Sequence, residues 1–412
     1  MDLAQQPLKG VKVLELSQIM AGPICGLMLA DLGAEVIKVE KFPKGDDARA
    51  YNNSGAQGEV SRSFQTINRG KKSIALDIRT ERGKALLLEM VRDADVVTEN
   101  FRPGTMQRLG LGPDDMLAVN PALIYVSING FGSQGPLADR GGFDLVLQAF
   151  SGLIHVTGEA DRRPVKPGVP LADVNAGILA CLGTLSAYIH RLRSGTGQWV
   201  QTSLLQASTQ YLYWYAAMHF GGGAVPTRLG TAHPVIAPYQ TYTCADGELA
   251  LGGGNDSIWQ RIASIVGHPE WSQDPRFASA KDRLENRQAL AALMDGALKQ
   301  KSRADWEQLF TAAGVPASSV QSVGEALDHP QTHAIGMVID AEAAEGGMLK
   351  TIGFPIHFNG KNSPAISRAP KVGEHTREIL GERGLDVEAI DALMAERVCF
   401  ESEAVQAEEA SQ

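Results

Sequence analysis

One carboxylate stands where its residue type could do chemistry. Asp173 lies in the stretch PGVPLADVNAG, residues 167–177, among small and apolar neighbours and just before the apolar run ILACLGTLSAYIH. An aspartate before a helical pattern is a favoured N-cap, and in that role it stabilises the helix by about 1 kcal/mol. The same place suits a nucleophile, because the positive end of the helix dipole would hold the carboxylate ionised. The residue types alone leave both interpretations open.

A second chemical feature is a set of cations near the ends of the predicted strands. In an open α/β sheet, ligands bind at the carboxyl ends of the strands, so several of these side chains can face one anionic ligand. For any single one, a solvated surface charge is the simpler interpretation. The set comprises Lys38, Lys41, Lys71, Lys72, Arg79, Arg102, Arg108 and Arg140.

The composition argues against several classes of protein. A net charge of −9 and a pI of about 5.6 disfavour a protein that binds nucleic acid or an anionic membrane, since both need a basic surface. The four cysteines lie far apart without a Cys-x-x-Cys pair, so we expect neither a metal site nor a disulfide framework. The sequence contains no signal-peptide pattern and no run of about 18 apolar residues, which predicts a cytoplasmic protein.

Secondary structure must position these residues, and the first 200 residues alternate short β-rich runs with helical patterns. Near-continuous apolar runs of this kind are typical of parallel strands covered by helices on both faces. The sequence therefore predicts an α/β fold with a large Rossmann-like open parallel sheet. The predicted strands are VKVLELS (11–17), AEVIKVE (34–40), KSIALDI (72–78), ADVVTEN (94–100) and LIYVSIN (123–129).

A chain of 412 residues exceeds one ordinary core, so we expect two domains. Residues 198–220 have the pattern of a long apolar helical connector, and the region after 225 mixes β-rich and amphipathic helical patterns. The predicted division is a large α/β domain over 1–200, a helical linker over 201–224, an inserted smaller α+β domain over 225–330, a linker over 331–350, the C-terminal part of the large domain over 351–400 and an acidic tail over 401–412.

Ten segments in this order resemble the family III CoA-transferases, the group that contains the formyl-CoA:oxalate, carnitine and bile-acid CoA-transferases. They span nearly the whole chain, and their combination is more specific than any one of them. The resemblance implies an interlocked homodimer of ring-like chains that binds no permanent cofactor and takes a coenzyme A thioester as substrate. The segments are LKGVKVLELSQIMAGP, DLGAEVIKVE, NRGKKSIALDI, ENFRPG, GFDLVLQAFSG, PGVPLADVNAG, GTGQWVQTSLLQA, GTAHPVIAPYQ, DGELALG and VGEHTREIL.

The resemblance gives Asp173 a role, because the catalytic aspartate of the family falls in the segment that here reads LADVNAG. Its carboxylate would attack the thioester of a donor acyl-CoA, which gives an aspartyl anhydride and free CoA thiolate. The thiolate would attack back, which leaves an aspartyl-CoA thioester and releases the donor acid. An acceptor carboxylate would then repeat the sequence in reverse.

The resemblance also implies a set of residues that bind CoA. Cations suit its phosphates, and apolar side chains suit its adenine. Met20 departs from the glutamine that the oxalate enzyme has at this position. The implied residues are Ile19, Met20, Ala21, Lys41, Leu76, Arg79, Asn100, Phe101, Arg108 and Arg140.

The segment RLGTAHP, residues 228–234, resembles that of family members that move CoA between succinate and other dicarboxylates. Arg228 and His233 are therefore candidates to contact the distal carboxylate of the acid. A structural histidine in a turn explains His233 equally well. The expected substrates are succinyl-CoA, or another dicarboxylyl-CoA, and a small carboxylic acid.

Two other functions stay open. The family includes racemases of 2-methylacyl-CoA, which pair an aspartate in the Asp173 position with a histidine in a Gly-His-Asp segment. Here that segment reads GFD, and Phe143 cannot carry a proton, which favours the transferase over a racemase. A non-catalytic acyl-CoA binder is the other alternative, and its function would not depend on Asp173.

Overall fold

The computed structural model describes residues 6–51, 61–222, 225–344, 346–361 and 367–401. The predicted acidic tail over 401–412 lies outside the described residues except for Glu401. The chain divides into two compact units. Unit 1 comprises residues 1–153, 167–216 and 330–412, and unit 2 comprises residues 154–166 and 217–329.

The described ranges contain twelve β-strands. In chain order they are Lys12–Glu15 (β1), Glu35–Glu40 (β2), Lys71–Leu76 (β3), Val96–Glu99 (β4), Ile124–Asn129 (β5), Gln198–Ser203 (β6), Tyr239–Cys244 (β7), Gly247–Gly252 (β8), Ala317–Ser319 (β9), Val338–Glu342 (β10), Met348–Ile352 (β11) and Cys399–Phe400 (β12).

The same ranges contain seventeen α-helices. They are Ala21–Asp31 (α1), Arg62–Asn68 (α2), Glu81–Val91 (α3), Thr105–Arg108 (α4), Pro113–Val119 (α5), Asp144–Phe150 (α6), Leu171–Ser194 (α7), Leu204–Gln210 (α8), Tyr213–Gly222 (α9), Asp256–Ile265 (α10), Ala280–Glu285 (α11), Arg287–Leu298 (α12), Arg303–Ala312 (α13), Val323–Asp328 (α14), Pro330–Ala334 (α15), Thr376–Gly381 (α16) and Val387–Ala395 (α17).

Unit 1 is built on a sheet with the strand order β12-β3-β2-β1-β4-β5-β6. Neighbouring strands pair in parallel, apart from the antiparallel pair β12 and β3. Successive strand residues face opposite sides, so Val13 joins a buried cluster with α1 and α7, whereas Leu14 joins one with α3, α16 and α17. Burial on both sides explains why the strands are nearly continuous apolar runs.

The predicted α/β class is confirmed, and the five predicted strands appear as β1 to β5. Two details of the prediction are wrong. The sheet is mixed rather than purely parallel, because β12 joins its edge in the antiparallel direction. Residues 198–203, expected to be helical, form β6, because the aromatic and β-branched residues of QWVQTS favour a strand that pairs with β5.

Unit 2 contains the antiparallel sheet β7-β8-β9, whose buried side chains pack with those of α10, α12 and α13. The observed division of the chain differs from the predicted one in its boundaries. Residues 154–166 group with unit 2, whereas 201–216 and 331–350, expected as linkers, group with unit 1. Within 331–350, strand β10 forms a two-stranded antiparallel sheet with β11. This segment therefore contains regular secondary structure, which was not expected of a linker.

Helix α7 carries the run that follows Asp173. By length and composition alone it is apolar enough to cross a membrane, although it contains no unbroken apolar run of about 18 residues. Its small residues Ala172, Ala176 and Ala180 are fully buried in the core of unit 1. These alanines lie in the same buried cluster as residues of α1, so one face of α7 belongs to the core of unit 1.

Candidate active site

A cavity of about 330 Å³ opens at the carboxyl ends of β1, β4 and β5. Strand β1 lies between β2 and β4 in the sheet, so the strand order reverses beside it. Ligands of open α/β folds bind at such a switch point. We call it the Asp173 cavity; it is lined by residues 18–21, 100–103, 128–130 and 141–143, with Asp173 and Leu204.

Asp173 is the third residue of α7 rather than its N-cap. The helix begins at Leu171, earlier than the apolar run indicated, and Pro170 occupies the N-cap position without a side-chain hydrogen bond. The predicted capping role of Asp173 is therefore wrong. With that role removed, its half-buried carboxylate belongs to the lining of the cavity.

Asp144, the first residue of α6, holds the start of α7. Its Oδ1 accepts a hydrogen bond from the N–H of Ala172 at 2.9 Å, and its Oδ2 accepts one from Nε2 of Gln148 at 2.7 Å. The sequence pattern does not single out Asp144, because an acid at the start of a helix resembles an ordinary capping residue. Its place beside Phe143 in the segment GFD was the only signal available.

Burial and the neighbouring Asp144 carboxylate raise the pKa of Asp173 from 3.8 to about 7. Both effects disfavour the charged form, burial by removing water and Asp144 by repulsion. Burial and Asp144 therefore act against the helix dipole, which was expected to hold the carboxylate ionised. A carboxyl group poised near neutral pH inside a cavity is typical of a functional site.

Residues 18–21 form one wall of the Asp173 cavity, and two side chains hold them. Asn100 accepts the N–H of Gln18 and donates to the carbonyl oxygen of Gln18, both at 2.8 Å. The N–H of Ile19 donates to the carboxylate of Asp46 at 3.0 Å. The predicted residues Ile19, Met20, Ala21 and Asn100 are thus brought together beside Asp173.

A second cavity of about 260 Å³ adjoins the first, and Gln18 and Phe101 line both. Its lining includes three further residues of the predicted CoA site, Lys41, Leu76 and Arg79. The structure therefore places an apolar side chain and two cations in one cavity, which shares Gln18 and Phe101 with the lining of the Asp173 cavity.

The two cations of the second cavity have acidic partners. Lys41 pairs with Asp47 at 2.5 Å, and Arg79 pairs with Asp77 at 2.8 Å. The side chain of Arg79 is 73% exposed. In the Lys41–Asp47 pair both side chains are exposed, and exposed pairs contribute little stability, so an anionic ligand can replace Asp47 as the partner of Lys41.

Arg108 and Arg140 line neither cavity. Nη2 of Arg108 donates to Oγ1 of Thr105 at 3.1 Å, and Thr105 lines the second cavity. The guanidinium of Arg140 lies 5.1 Å from the centre of the Phe131 ring. Arg108 therefore contacts a residue that lines the second cavity. Arg140 contacts an aromatic ring and lines neither cavity.

Three lysines of the cation set form ion pairs within the fold. Lys38 and Lys71 are fully buried and share the carboxylate of Glu15, because both belong to inner strands whose faces are covered. Lys72 pairs with Glu35 and Glu378. The expectation that such lysines face an anionic ligand does not hold for this group. Arg102 does line the Asp173 cavity.

Arg228 and His233 belong to unit 2, where their contacts are structural. Arg228 donates to the carbonyl oxygens of His155 at 3.2 Å and Glu159 at 3.3 Å. Nδ1 of His233 accepts the N–H of Val235 at 3.2 Å. These contacts favour the turn interpretation of His233 and show that Arg228 holds residues 155–159.

This chain is similar to several known proteins. The sequence profile described as CoA-transferase family III matches residues 8–376 of this chain. A succinate–glutarate CoA-transferase of Agrobacterium fabrum is 38% identical over 381 residues, which cover 91% of this chain and 95% of that protein. An acetyl-CoA:oxalate CoA-transferase of Acetobacter aceti is 37% identical over 370 residues, or 89% and 93% of the two chains. The crystal structure of a CAIB/BAIF family protein from Brucella suis, 40% identical, superposes with a TM-score of 0.82 over 92% of this chain and 99% of that one.

Proposed function

This chain belongs to CoA-transferase family III, and from that premise we propose that it transfers CoA between two carboxylic acids through covalent intermediates on Asp173. The observation that carries the proposal is the carboxylate of Asp173 in a cavity that adjoins a second, cation-lined one. CoA has an anionic nucleotide end and a thiol end. The two cavities match these ends, with Lys41 and Arg79 for the phosphates and Asp173 for the thioester.

The chemistry proceeds by exchange of acyl partners. An oxygen of Asp173 bonds to the thioester carbon of the donor while its C–S bond breaks, which gives a mixed anhydride and CoA thiolate. The thiolate then attacks the aspartyl carbonyl, the C–O bond breaks, and the donor acid leaves as a carboxylate. An aspartyl-CoA thioester remains, so the energy of the thioester is retained on the protein.

The acceptor reverses these steps. Its carboxylate attacks the aspartyl-CoA thioester, which gives a second anhydride and releases the thiolate again. The thiolate attacks the acceptor's acyl carbonyl, forms the new acyl-CoA and restores the carboxylate of Asp173. No proton enters or leaves, because each step exchanges one anion for another. The half-buried setting of Asp173 limits hydrolysis of the two reactive intermediates.

We propose a dicarboxylic acid as one of the substrates. The Agrobacterium relative is named for succinate and glutarate, and the Acetobacter relative for acetyl-CoA and oxalate, so each name contains at least one acid with two carboxylates. A second carboxylate needs a cation. Arg102, which lines the Asp173 cavity, is a candidate for this cation. Arg228 and His233, in unit 2, remain the residues predicted to contact the distal carboxylate.

We further propose that the chain acts as a homodimer, as the resemblance implies. One face of α7 supports this, because Leu182 is 58% exposed, Ile189 52% and Leu192 69%. Their spacing of seven and three residues places them on one side of the helix. An exposed, mostly apolar face of this kind is typical of a surface that another chain covers.

The proposed function is tested by intact mass spectrometry. The protein is mixed with succinyl-CoA, without an acceptor, and trapped with hydroxylamine or borohydride. We expect a modification at Asp173 that is absent in Asp173→Ala and retained in Asp139→Asn, which removes an exposed carboxylate nearby in the sequence. In a parallel reaction without the trapping reagent, the CoA-loaded enzyme should pass CoA to glutarate faster than to butyrate, which lacks the second carboxylate.

Other results of these experiments would favour the alternative functions. An unmodified protein after several acyl-CoAs, with CoA bound normally, would contradict the covalent mechanism and favour a non-catalytic binder. Exchange of the α-hydrogen of an acyl-CoA with solvent deuterium would favour a racemase. Equal transfer to glutarate and butyrate would leave the transferase in place and contradict the dicarboxylate specificity.

A further inference from the structure

Ile19 has a backbone conformation that few isoleucines adopt. Its φ is +70°, in the left-handed region where a β-branched side chain is strained. Such a conformation persists only where the surroundings determine it, and strained residues of this kind cluster at active sites. Ile19 lines the Asp173 cavity, so the contact that holds it also shapes the cavity.

That contact is made by Asp46. The N–H of Ile19 donates to both carboxylate oxygens of Asp46, at 3.0 and 3.1 Å. Oδ1 of Asp46 also accepts the N–H of Ala48 at 2.9 Å. Asp46 is 27 residues from Ile19 along the chain, so a tertiary contact rather than local turn chemistry fixes the strained residue.

Asp46 is in turn held by a buried ionic network. Nζ of Lys38 lies 2.9 Å from Oδ2 of Asp46 and 2.9 Å from Oε1 of Glu15, and all three side chains are fully buried. Burial alone would raise the pKa of Asp46, but the charge of Lys38 and the hydrogen bonds lower it below its usual value. Buried ion pairs often stabilise no better than apolar side chains would, which favours a role in geometry.

The held segment touches the helix that carries Asp173. The carbonyl oxygen of Ala21 lies so close to Gly177 that a Cβ added there would be 2.6 Å from it. Gly177 follows Asp173 by four residues, so it lies one turn further along the same face of α7. A change in chain direction at Ile19 would therefore displace the wall beside the reacting carboxylate.

We infer that Asp46 is a positioning residue of the transferase: with Lys38, it holds Ile19 in the left-handed conformation and thereby keeps residues 19–21 in the shape that faces Asp173. Asp46 acts through Ile19 and does not itself line the Asp173 cavity. The inference rests on the proposed role of Asp173 and adds a requirement that the proposed mechanism does not contain.

The test measures the single-turnover rate at which the acyl-CoA donor modifies Asp173, alongside CoA affinity by calorimetry. Asp46→Asn keeps the shape of the side chain but removes its charge, so the ion pair with Lys38 and one acceptor for Ile19 are lost. Misplacement of reacting groups by about 1 Å can cost about a hundredfold in rate. We expect the rate to fall by at least about tenfold and the CoA affinity to change by less than about threefold.

Two variants at position 19 test whether Asp46 acts through the backbone conformation of Ile19. Glycine adopts a positive φ without strain, so in the Ile19→Gly background the further effect of Asp46→Asn should shrink to less than about threefold. In the Ile19→Ala background the Cβ keeps the strain, and the full further loss should remain. The same loss in both backgrounds would overturn the inference, since Asp46 would then not act through the conformation of Ile19.

A second buried pair controls for stability. Asp31 at the end of α1 pairs with Arg69, and both are nearly fully buried away from the two cavities. Asp31→Asn should lower the thermal midpoint as Asp46→Asn does, yet keep the rate of modification. Equal rate losses in both variants would overturn the inference. Modification of Asp46→Asn at the native rate would also overturn it, whereas an unmodified native protein would contradict the proposed function itself.

Discussion

At the scale of the residue, we expect the pKa of Asp173 to set the pH range of the proposed activity. Burial and the Asp144 carboxylate raise it to about 7, and a carboxylate attacks a thioester only in its ionised form. We therefore expect kcat/KM for the acyl-CoA donor to rise about tenfold per pH unit below the pKa and to level off above it. The pH profile of the purified enzyme measures this directly.

Asp144→Asn separates the two causes of the shift. Asparagine retains an oxygen that can accept the N–H of Ala172, but it carries no charge. Without the like charge the ionised form of Asp173 is favoured, so its pKa falls and the inflection moves to lower pH. The control Asp139→Asn should leave the inflection in place. An inflection unmoved by Asp144→Asn would mean that burial alone raises the pKa.

Single residues differ in how far the sequence could reveal them. Asp173 stands out because an acid before a long apolar helix is visible in a short window, and the family resemblance then gave it a role. Asp144 contacts Ala172 across 28 residues, and Asp46 contacts Ile19 across 27. Neither pairing follows from local spacing, because the chain must fold before these groups meet.

At the scale of the element, the approach of α1 to α7 depends on Gly177. Replacing glycine with alanine within a helix ordinarily stabilises it by about 1 kcal/mol. At Gly177 an added Cβ would lie 2.6 Å from the carbonyl oxygen of Ala21 and 2.8 Å from the side chain of Ile24. Backbone cannot yield as a flexible side chain does, so we expect Gly177→Ala to destabilise by about 1–3 kcal/mol.

Urea unfolding measures this change against Gly296→Ala. Gly296 lies in α12, and a Cβ added there would meet no atom within 4 Å. That control should raise the free energy of unfolding by about 0.5–1 kcal/mol. Gly177→Ala should also slow the modification of Asp173, because the two helices line one cavity. An increase in stability from both substitutions would contradict this account of the α1–α7 contact.

The elements were predictable where their pattern is continuous. Strands β1 to β5 are mostly buried and carry mainly apolar side chains, and such runs are typical of buried parallel strands. Strand β6 was missed because its residues, QWVQTS, run directly into the apolar helices that follow. Strand β12 has only the two residues Cys399–Phe400, and only its pairing with β3 defines it as a strand.

At the scale of the whole molecule, unit 1 holds both cavities although it is assembled from three separate segments of the chain. Its sheet includes residues 399–400, which pair with β3. The residues predicted to contact the distal carboxylate, Arg228 and His233, fall in unit 2. Composition changes along the sequence located unit 2 approximately, but the inclusion of 154–166 depends on contacts that no local pattern shows.

The exposed face of α7 gives the proposed dimer a direct test. A chain of 44.0 kDa should sediment at twice that mass if two copies associate. The double variant Leu182→Glu with Ile189→Glu places two charges on the apolar face, and burying unpaired charges is costly, so it should shift the population to the mass of one chain. Leu309→Glu, at a leucine 44% exposed in unit 2, is the control and should leave the dimer intact. A native protein at the mass of one chain, or a double variant that stays dimeric, would contradict a dimer formed through this face.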